Sequence, residues 1–349
     1  MTTLFRQLRA WKESASSGHL CLDLRAITEY HARHFVPSTN IPWSQLRQRC
    51  AELPPKRLPF AVVEPLGHRG CASWLIDQGW QCPWIFWEGD CSSSFWAEAC
   101  AAGWAEEAPE KTMTQPQQRP QRPWLLFSPC PFLEANMDRI EQDLAGRNDL
   151  RCLDIGCGSG RDTAWILSRA RPWTITALDS LRGAVERTEA LTAHLGSRDR
   201  LKVVQAKIMA NGAWKDIKHV PSGEEEKEGK AGTGLDRLEQ KRQRFSPGVS
   251  TTEFFGAEQF DLVLTIRFLV RSLLPQLPQL LRVGGYLVIS HFVEDGVHTY
   301  DQPRKDHRLA LGELRKLYES MENMQVLVDV IEEIEDGRPV NSVVIKRIA

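Results

Sequence analysis

From Trp124 onward the chain alternates two hydrophobic periods. Short continuous apolar runs, suited to strands buried on both faces, alternate with stretches whose apolar positions recur every three to four residues, as on helices. Arg151–Ile155, Thr174–Asp179, Leu201–Ala206, Phe260–Thr265 and Tyr286–His291 read as strands. Arg161–Arg169, Arg182–Leu195, Ser272–Leu281 and Leu309–Glu319 read as helices. Two further β-patterned runs, Gln325–Ile334 and Val340–Ile348, are joined by Asp336-Gly337, a hairpin-turn dipeptide. The expected fold class is α/β: a parallel sheet covered by helices on both faces and closed by an antiparallel hairpin.

The first hundred residues are patterned differently. Leu4, Phe5, Leu8 and Trp11 lie at helical spacing, strands are expected at Leu20–Arg25 and Pro59–Val63, and a helix near Trp74–Trp80. Two stretches carry neither period. A linker is expected over 105–123, with Pro109–Pro123 rich in Pro, Gln and Arg. The second runs over about 215–250. Its segment from Lys215 to Arg244 holds 15 charged residues of mixed sign, too polar to offset ordering entropy, and is expected to be a disordered insertion. Lys241, Arg242 and Arg244 are its candidate docking cations. The domain expectation is therefore 1–104, linker 105–123, and 124–349.

Composition narrows the function classes. The 349 residues carry 44 Lys+Arg against 45 Asp+Glu, so no net field gathers nucleic acid or an acidic membrane. No apolar run reaches the roughly 20 residues of a membrane span. Nine scattered Cys with no C-x-x-C pair point to a reducing compartment, with no disulfide framework and no metal site. The cytoplasm is the expected location; a short transit peptide at Met1–Trp11 is the alternative. Eight of the 12 Trp lie in the first 104 residues and none follows Trp214, so the two ends are built differently.

The chemistry concentrates in Leu153-Asp154-Ile155-Gly156-Cys157-Gly158-Ser159-Gly160-Arg161-Asp162. Glycines at the end of a strand let a ligand approach the backbone, and the following helix start adds N–H donors. A dinucleotide fingerprint needs a third glycine at position 161, where Arg161 stands, so the turn suits a ligand without a pyrophosphate. Asp179 ends the next strand, where a carboxylate can accept both hydroxyls of a ribose.

These residues, with Ala177-Leu178-Asp179, Phe260-Asp261-Leu262-Val263, Leu281-Arg282-Val283-Gly284-Gly285 and the closing hairpin, resemble the class I S-adenosylmethionine-dependent methyltransferases over essentially all of the second domain. The resemblance implies a Rossmann-like seven-stranded sheet and S-adenosyl-L-methionine as cofactor. It also implies a cofactor site of Asp154, Gly156, Cys157, Gly158, Gly160, Arg161, Asp179, Ser180 and Thr265. Asp154 would hold the amino end and Asp179 the ribose. The acid that the family usually places after the third strand is replaced by Gln205 or Lys207. Phe127–Leu133, Gly160-Arg161-Asp162, Arg267-Phe268-Leu269 with Arg271, and Gly312–Tyr318 resemble the tellurite-resistance-type group, which implies transfer to chalcogen oxyanions. The Asn/Asp-Pro-Pro-aromatic signature of amino-group acceptors is absent; Thr265-Ile266-Arg267-Phe268 stands there.

In-line displacement with an anionic or thiol acceptor needs orientation and cations rather than a strong base. Arg267 and His291 are the acceptor-side candidates, each with a structural alternative: an ion pair for Arg267, a hydrogen-bonded scaffold for His291. Arg271 and Arg315 read as structural.

In the first domain, Leu20–Arg25, Glu29-Tyr30, His34–Pro42 and Pro59–Val63 resemble the rhodanese opening and core strand. Glu64 occupies the position of the rhodanese nucleophilic Cys, so this domain is expected to be inactive and to serve regulation or docking. The expected partner is a small-molecule acceptor, with no membrane partner and a protein partner through the Trp-rich domain as a further expectation. The alternatives are a non-catalytic S-adenosylmethionine-binding protein and a methyltransferase of tRNA or protein.

Overall fold

A computed structural model describes residues 3–14, 20–108, 124–217 and 248–349. The chain divides into two compact units, Met1–Ser128 and Pro129–Ala349. The Pro109–Pro123 segment and the insertion's Lys241, Arg242 and Arg244 lie outside the described residues.

The first unit runs α1 (Thr3–Glu13), β1 (Cys21–Asp23), α2 (Ile27–Ala32), β2 (Arg33–Phe35), β3 (Thr39–Asn40), β4 (Ala61–Glu64), α3 (Cys71–Asp77), β5 (Trp84–Trp87), α4 (Ser93–Ala101) and β6 (Ala105–Glu107). Strands β3, β1, β4 and β5 form a parallel sheet in that order, and β2 pairs with β6 antiparallel. Cys21, Ala61, Val63 and Phe86 on one face pack with Phe5, Leu8 and Trp11 of α1 and Phe95 and Trp96 of α4. Leu22 and Val62 on the other face meet Leu46, Ala72 and Leu75. The linker expectation is corrected at both ends. Residues 105–107 are β6, and Leu126 is buried in the first unit's own core.

The second unit opens with α5 (Pro131–Asp143), followed by β7 (Leu150–Ile155), α6 (Arg161–Leu167), β8 (Trp173–Asp179), α7 (Arg182–His194), β9 (Leu201–Ile208) and β10 (Trp214–Asp216). It continues with α8 (Thr251–Phe255), β11 (Phe260–Ile266), β12 (Leu281–Glu294), β13 (Leu309–Ala310), α9 (Glu313–Glu319), β14 (Met324–Glu333) and β15 (Pro339–Arg347). Its nine-stranded sheet has the order β10-β9-β8-β7-β11-β12-β15-β14, with β13 beside β12. Strands β9, β8, β7, β11 and β12 are parallel, and β15 enters antiparallel between β12 and β14. Strand order reverses at β7, which places the switch point where its turn begins.

Two strands exceed the expected seven. Strand β10 comes from the expected insertion: Trp214 is fully buried, its Nε1–H donates to Thr251 Oγ1 at 2.8 Å, and Val249 bridges its backbone. The insertion's ends therefore belong to the fold. The helix expected at Ser272–Leu281 is a 3₁₀ segment, Leu274–Leu280. Pro275 and Pro278 each lack the N–H that an α-helix needs. Strand β12 begins at Leu281 and runs three residues beyond His291. The helix expected at Leu309–Glu319 starts only at Glu313, because residues 309–310 are β13 and Gly312 has φ 69°. Among the described residues, no helix is long and apolar enough to cross a membrane.

Candidate functional site

The glycine turn leaves β7 and is strapped to β8. The N–H groups of Gly156 and Cys157 both donate to the Leu178 carbonyl, at 2.8 and 3.0 Å. Gly156, Gly158 and Gly160 have φ of 78°, 58° and 76°, which side chains disfavour. Their surroundings differ. A Cβ on Gly156 would stand 2.7 Å from the Phe268 ring, and one on Gly160 would stand 2.7 Å from the Thr188 side chain. A Cβ on Gly158 would meet no heavy atom within 4 Å among the described residues. Two glycines thus admit neighbouring side chains, and the third opens the backbone to a ligand. The Cys157 thiol lies 3.6 Å from Thr188 Oγ1, and burial pushes its pKa well up.

Three carboxylates surround this turn. Asp179 ends β8; its Oδ2 accepts the Gly158 N–H at 3.0 Å and its Oδ1 accepts the Leu181 N–H at 2.9 Å. Beside it, the Ser180 carbonyl accepts Gln205 Nε2–H at 3.2 Å, while the Leu181 side chain is 66% exposed. Asp154 lies in β7, 3% exposed, and its Oδ2 accepts the Thr163 hydroxyl at 2.6 Å. Burial first, then Asp162, pushes the Asp154 carboxyl up to about 7. Asp162 Oδ1 accepts the Cys130 N–H at 2.7 Å, tying the start of α5 to the turn, and burial raises its pKa too. Asp162 was legible as part of the Gly160-Arg161-Asp162 motif. Thr163 and Thr188 gave no sequence signal, because their contacts are made only in the folded sheet; Phe268 was visible as a motif residue, but its place against Gly156 was not.

Arg161 opens α6, and burial lowers its pKa while the charges of Glu335 and Asp162 oppose that shift. Thr265, near the end of β11, is 2% exposed and its Oγ1 has no hydrogen-bond partner among the described residues. Arg267 follows β11 with φ 56°, the one positive value on a non-glycine residue among those described. Its N–H donates to the Ser290 carbonyl at 2.7 Å, and its side chain is exposed. The charge of Arg267 acts on Cys130, Asp162, Arg161 and Asp336.

His291 has other neighbours. It is 5% exposed, and its Nε2 lies 2.9 Å from the His307 carbonyl, which requires the proton on Nε2. Nδ1 has no partner among the described residues, and burial lowers the pKa. The charges of Arg271, His307 and Glu313 act on it, and the carbonyl of the residue before it, Ser290, takes the Arg267 N–H. Arg271 bonds Glu313 and the Asp306 and Arg308 carbonyls, and Arg315 bonds Asp329 and Glu319. Among the described residues, no group of three or more His, Cys, Asp or Glu is placed to hold a metal ion.

In the first unit, Glu64 ends β4 and is 2% exposed. The loop after it closes on its carboxylate, with the Gly70 N–H donating at 2.9 Å and the Ala72 N–H at 2.8 Å. Cys71 donates to the His68 carbonyl at 2.8 Å, and burial, then Glu64, pushes its thiol up to about 11. A thiol held so far from ionisation is a poor nucleophile.

No protein-family model matches the chain. The chain is 36% identical over 340 residues to the "Uncharacterized protein UNK4.09" of Schizosaccharomyces pombe, covering 94% of this chain and 93% of that protein. Among solved structures it is similar to TehB from Haemophilus influenzae, at 15% identity, 60% and 62% coverage of the two chains and a TM-score of 0.39. It is also similar to the Burkholderia thailandensis 1,6-didemethyltoxoflavin-N1-methyltransferase with bound S-adenosylhomocysteine, at 16% identity, 62% and 79% coverage and a TM-score of 0.39. A SAM dependent methyltransferase from Aquifex aeolicus is similar at 12% identity, 59% and 89% coverage and a TM-score of 0.36. These TM-scores lie below 0.5, so function rests on the chain's own strand order and residues.

Proposed function

The chain belongs to one family with the Schizosaccharomyces pombe protein, and from that premise we propose that its second unit is a class I S-adenosylmethionine-dependent methyltransferase. The acceptor is a small anionic, thiol or chalcogen compound, and the first unit is a rhodanese-like docking or regulatory module. One observation carries the reading: the three-glycine turn leaves β7 at the reversal of strand order, with Asp179 on the neighbouring strand bonded to its central N–H.

The residues present fit the cofactor. The open space at Gly158 admits a ligand to the backbone. Each oxygen of Asp179 accepts one backbone N–H and keeps a lone pair for a ribose hydroxyl. The exposed Leu181 offers an apolar face to a base. Gln205 spends its amide N–H on Ser180 and keeps its Oε1 as an acceptor, a neutral substitute for the missing acid. Asp154 and Asp162 favour a cationic group.

S-adenosylmethionine, when bound, supplies a methyl group on a sulfonium. The chain's task is then to orient the acceptor. Arg267 presents a guanidinium with no hydrogen bond among the described residues, on a backbone conformation that costs about 1–3 kcal/mol and is held by Ser290. An acceptor anion placed there needs positive charge rather than a base. His291, buried and fixed by His307, supports the strand end. The non-catalytic alternative draws on Phe268, whose ring lies over Gly156.

The test is a methyl-transfer screen of the full chain over tellurite, selenite, thiols and bulk tRNA, following S-adenosylhomocysteine formation. Turnover is expected with a small acceptor, and Arg267→Ala is expected to reduce it about a hundredfold. Turnover with tRNA alone, or with none of these, contradicts the acceptor assignment.

A further inference from the structure

Three side chains form a hydrogen-bonded row across β12, β15 and β14. Ser290 and Ser342 are register partners, 3% and 0% exposed, with their hydroxyl oxygens 2.9 Å apart. Ser342 Oγ also lies 2.9 Å from Glu332 Oε1. An ionised carboxylate only accepts, so Ser342 spends its one O–H on Glu332, and Ser290 donates to Ser342. The Ser290 oxygen then keeps its lone pairs, polarised by the charge at the far end of the row. Glu332 has no ion pair among the described residues, whereas its neighbours Glu333 and Asp336 pair with His298 and Arg338. Alternation along the strands puts Ser290 and Ser342 on the face of Val288 and Val344, which packs with Phe132 and Leu133 of α5 and Ile166 of α6. Valine at either position would suit that face, so packing does not explain the two hydroxyls.

The row begins beside Arg267. The Ser290 carbonyl takes the Arg267 N–H, and the Arg267 charge reaches Cys130, Arg161 and Asp162 at the starts of α5 and α6, the helices of the same face. We propose that Ser290, Ser342 and Glu332 carry away the proton of a thiol acceptor seated at Arg267. The inference rests on the methyltransferase reading above and deepens it. It narrows the acceptor to compounds that arrive protonated, because a preformed oxyanion has no proton to lose.

A carboxylate is too weak a base to ionise a resting thiol, whose pKa is about 8.5. As the acceptor sulfur bonds to the methyl carbon, its S–H turns strongly acidic and the weak base suffices. The thiol proton passes to Ser290 Oγ, the Ser290 proton to Ser342 and the Ser342 proton to Glu332, which releases it to solvent. The S–H bond and the bond from the methyl carbon to the sulfonium sulfur break, one thioether bond forms, and one proton leaves. No oxidant or reductant is required. Ser290 touches the acceptor, while Ser342 and Glu332 act through it.

The experiment follows S-adenosylhomocysteine formation by the full chain near neutral pH, in wild type and Glu332→Gln. The acceptors are mercaptoethanol and para-nitrothiophenol, a thiol already ionised under those conditions. Glutamine keeps an amide oxygen for the Ser342 hydroxyl but takes no proton, so a merely structural role would tolerate it. The variant's kcat is expected to fall about tenfold more with mercaptoethanol than with para-nitrothiophenol, with KM little changed. A second readout needs no turnover: in difference infrared spectra, the S–H stretch of bound mercaptoethanol should lie lower in wild type than in Ser290→Ala. The kinetics of wild type and Glu332→Gln stand by themselves where Ser290→Ala does not fold. Equal losses with the two thiols, or an S–H band that Ser290→Ala does not move, overturns the relay and leaves the methyltransferase reading standing. No turnover with either thiol also overturns the relay. The methyltransferase reading falls with it only where selenite and tellurite are inert too and S-adenosylmethionine does not bind.

Discussion

Gly156, Gly158 and Gly160 share a left-handed backbone yet have different uses. Gly160 makes room for Thr188 of α7, so its substitution has a packing cost as well as a backbone one. Gly160→Ala is expected to destabilise the second unit by about 2–4 kcal/mol, the sum of left-handed strain and overpacking. Gly158→Ala meets no neighbour and should cost about 1 kcal/mol in stability. It should nevertheless weaken S-adenosylhomocysteine binding by tenfold or more, since its Cβ fills the space left for a ligand. Chemical denaturation and titration of the two variants separate these effects. Equal losses of stability would contradict the division of roles. The sequence made the three glycines visible and assigned them one role, because the side chains that distinguish them sit on other elements. The surroundings of His291 were hidden for the same reason: its bond to the His307 carbonyl, which fits the scaffold alternative, is made to a residue that no local pattern connects to it.

Among elements, the buried parallel strands were the most legible, since a continuous apolar run with glycine or a charged residue at its end admits few alternatives. Short or polar elements were not. Strand β10 carries only Trp214-Lys215-Asp216, and its one buried side chain is secured by partners at 251 and 254–255 across the insertion. Asp261 shows how β11 is anchored at its other end. Fully buried, it accepts the Arg151 N–H at 2.8 Å, Arg282 Nη1–H at 3.1 Å and a bond from Arg147. It thereby ties the starts of β7, β11 and β12. Asp261→Ala removes the carboxylate that Arg147 and Arg282 share, leaving them the Val283 carbonyl and Asp149 respectively, and leaves one N–H unmet; it is expected to destabilise the second unit by about 3 kcal/mol. Urea denaturation measures this, and a loss below about 1 kcal/mol would mean that solvent replaces the bonds.

At the scale of the whole chain, the uneven Trp distribution does mark two separate units, and its physical meaning is mostly core. Trp11 and Trp96 are fully buried in the first unit, and Trp43, Trp74 and Trp80 flank its other cluster. Glu64 explains why that unit is read as lacking sulfur chemistry, since its own carboxylate takes the loop's N–H groups. The near-zero net charge fits a small acceptor gathered by local cations rather than by a long-range field. What the acceptor is was least legible, because the groups beside Arg267 come from three separate parts of the second unit: Cys130, the start of α6 and Asp336. The central claim is that the second unit binds S-adenosylmethionine at the glycine turn with Asp179 on its ribose. Calorimetric titration of wild type and Asp179→Ala with that nucleoside is the most direct test. Saturable binding by wild type, with at least a tenfold loss in the variant, is the predicted result; no saturable binding, or equal affinity in both, would contradict it.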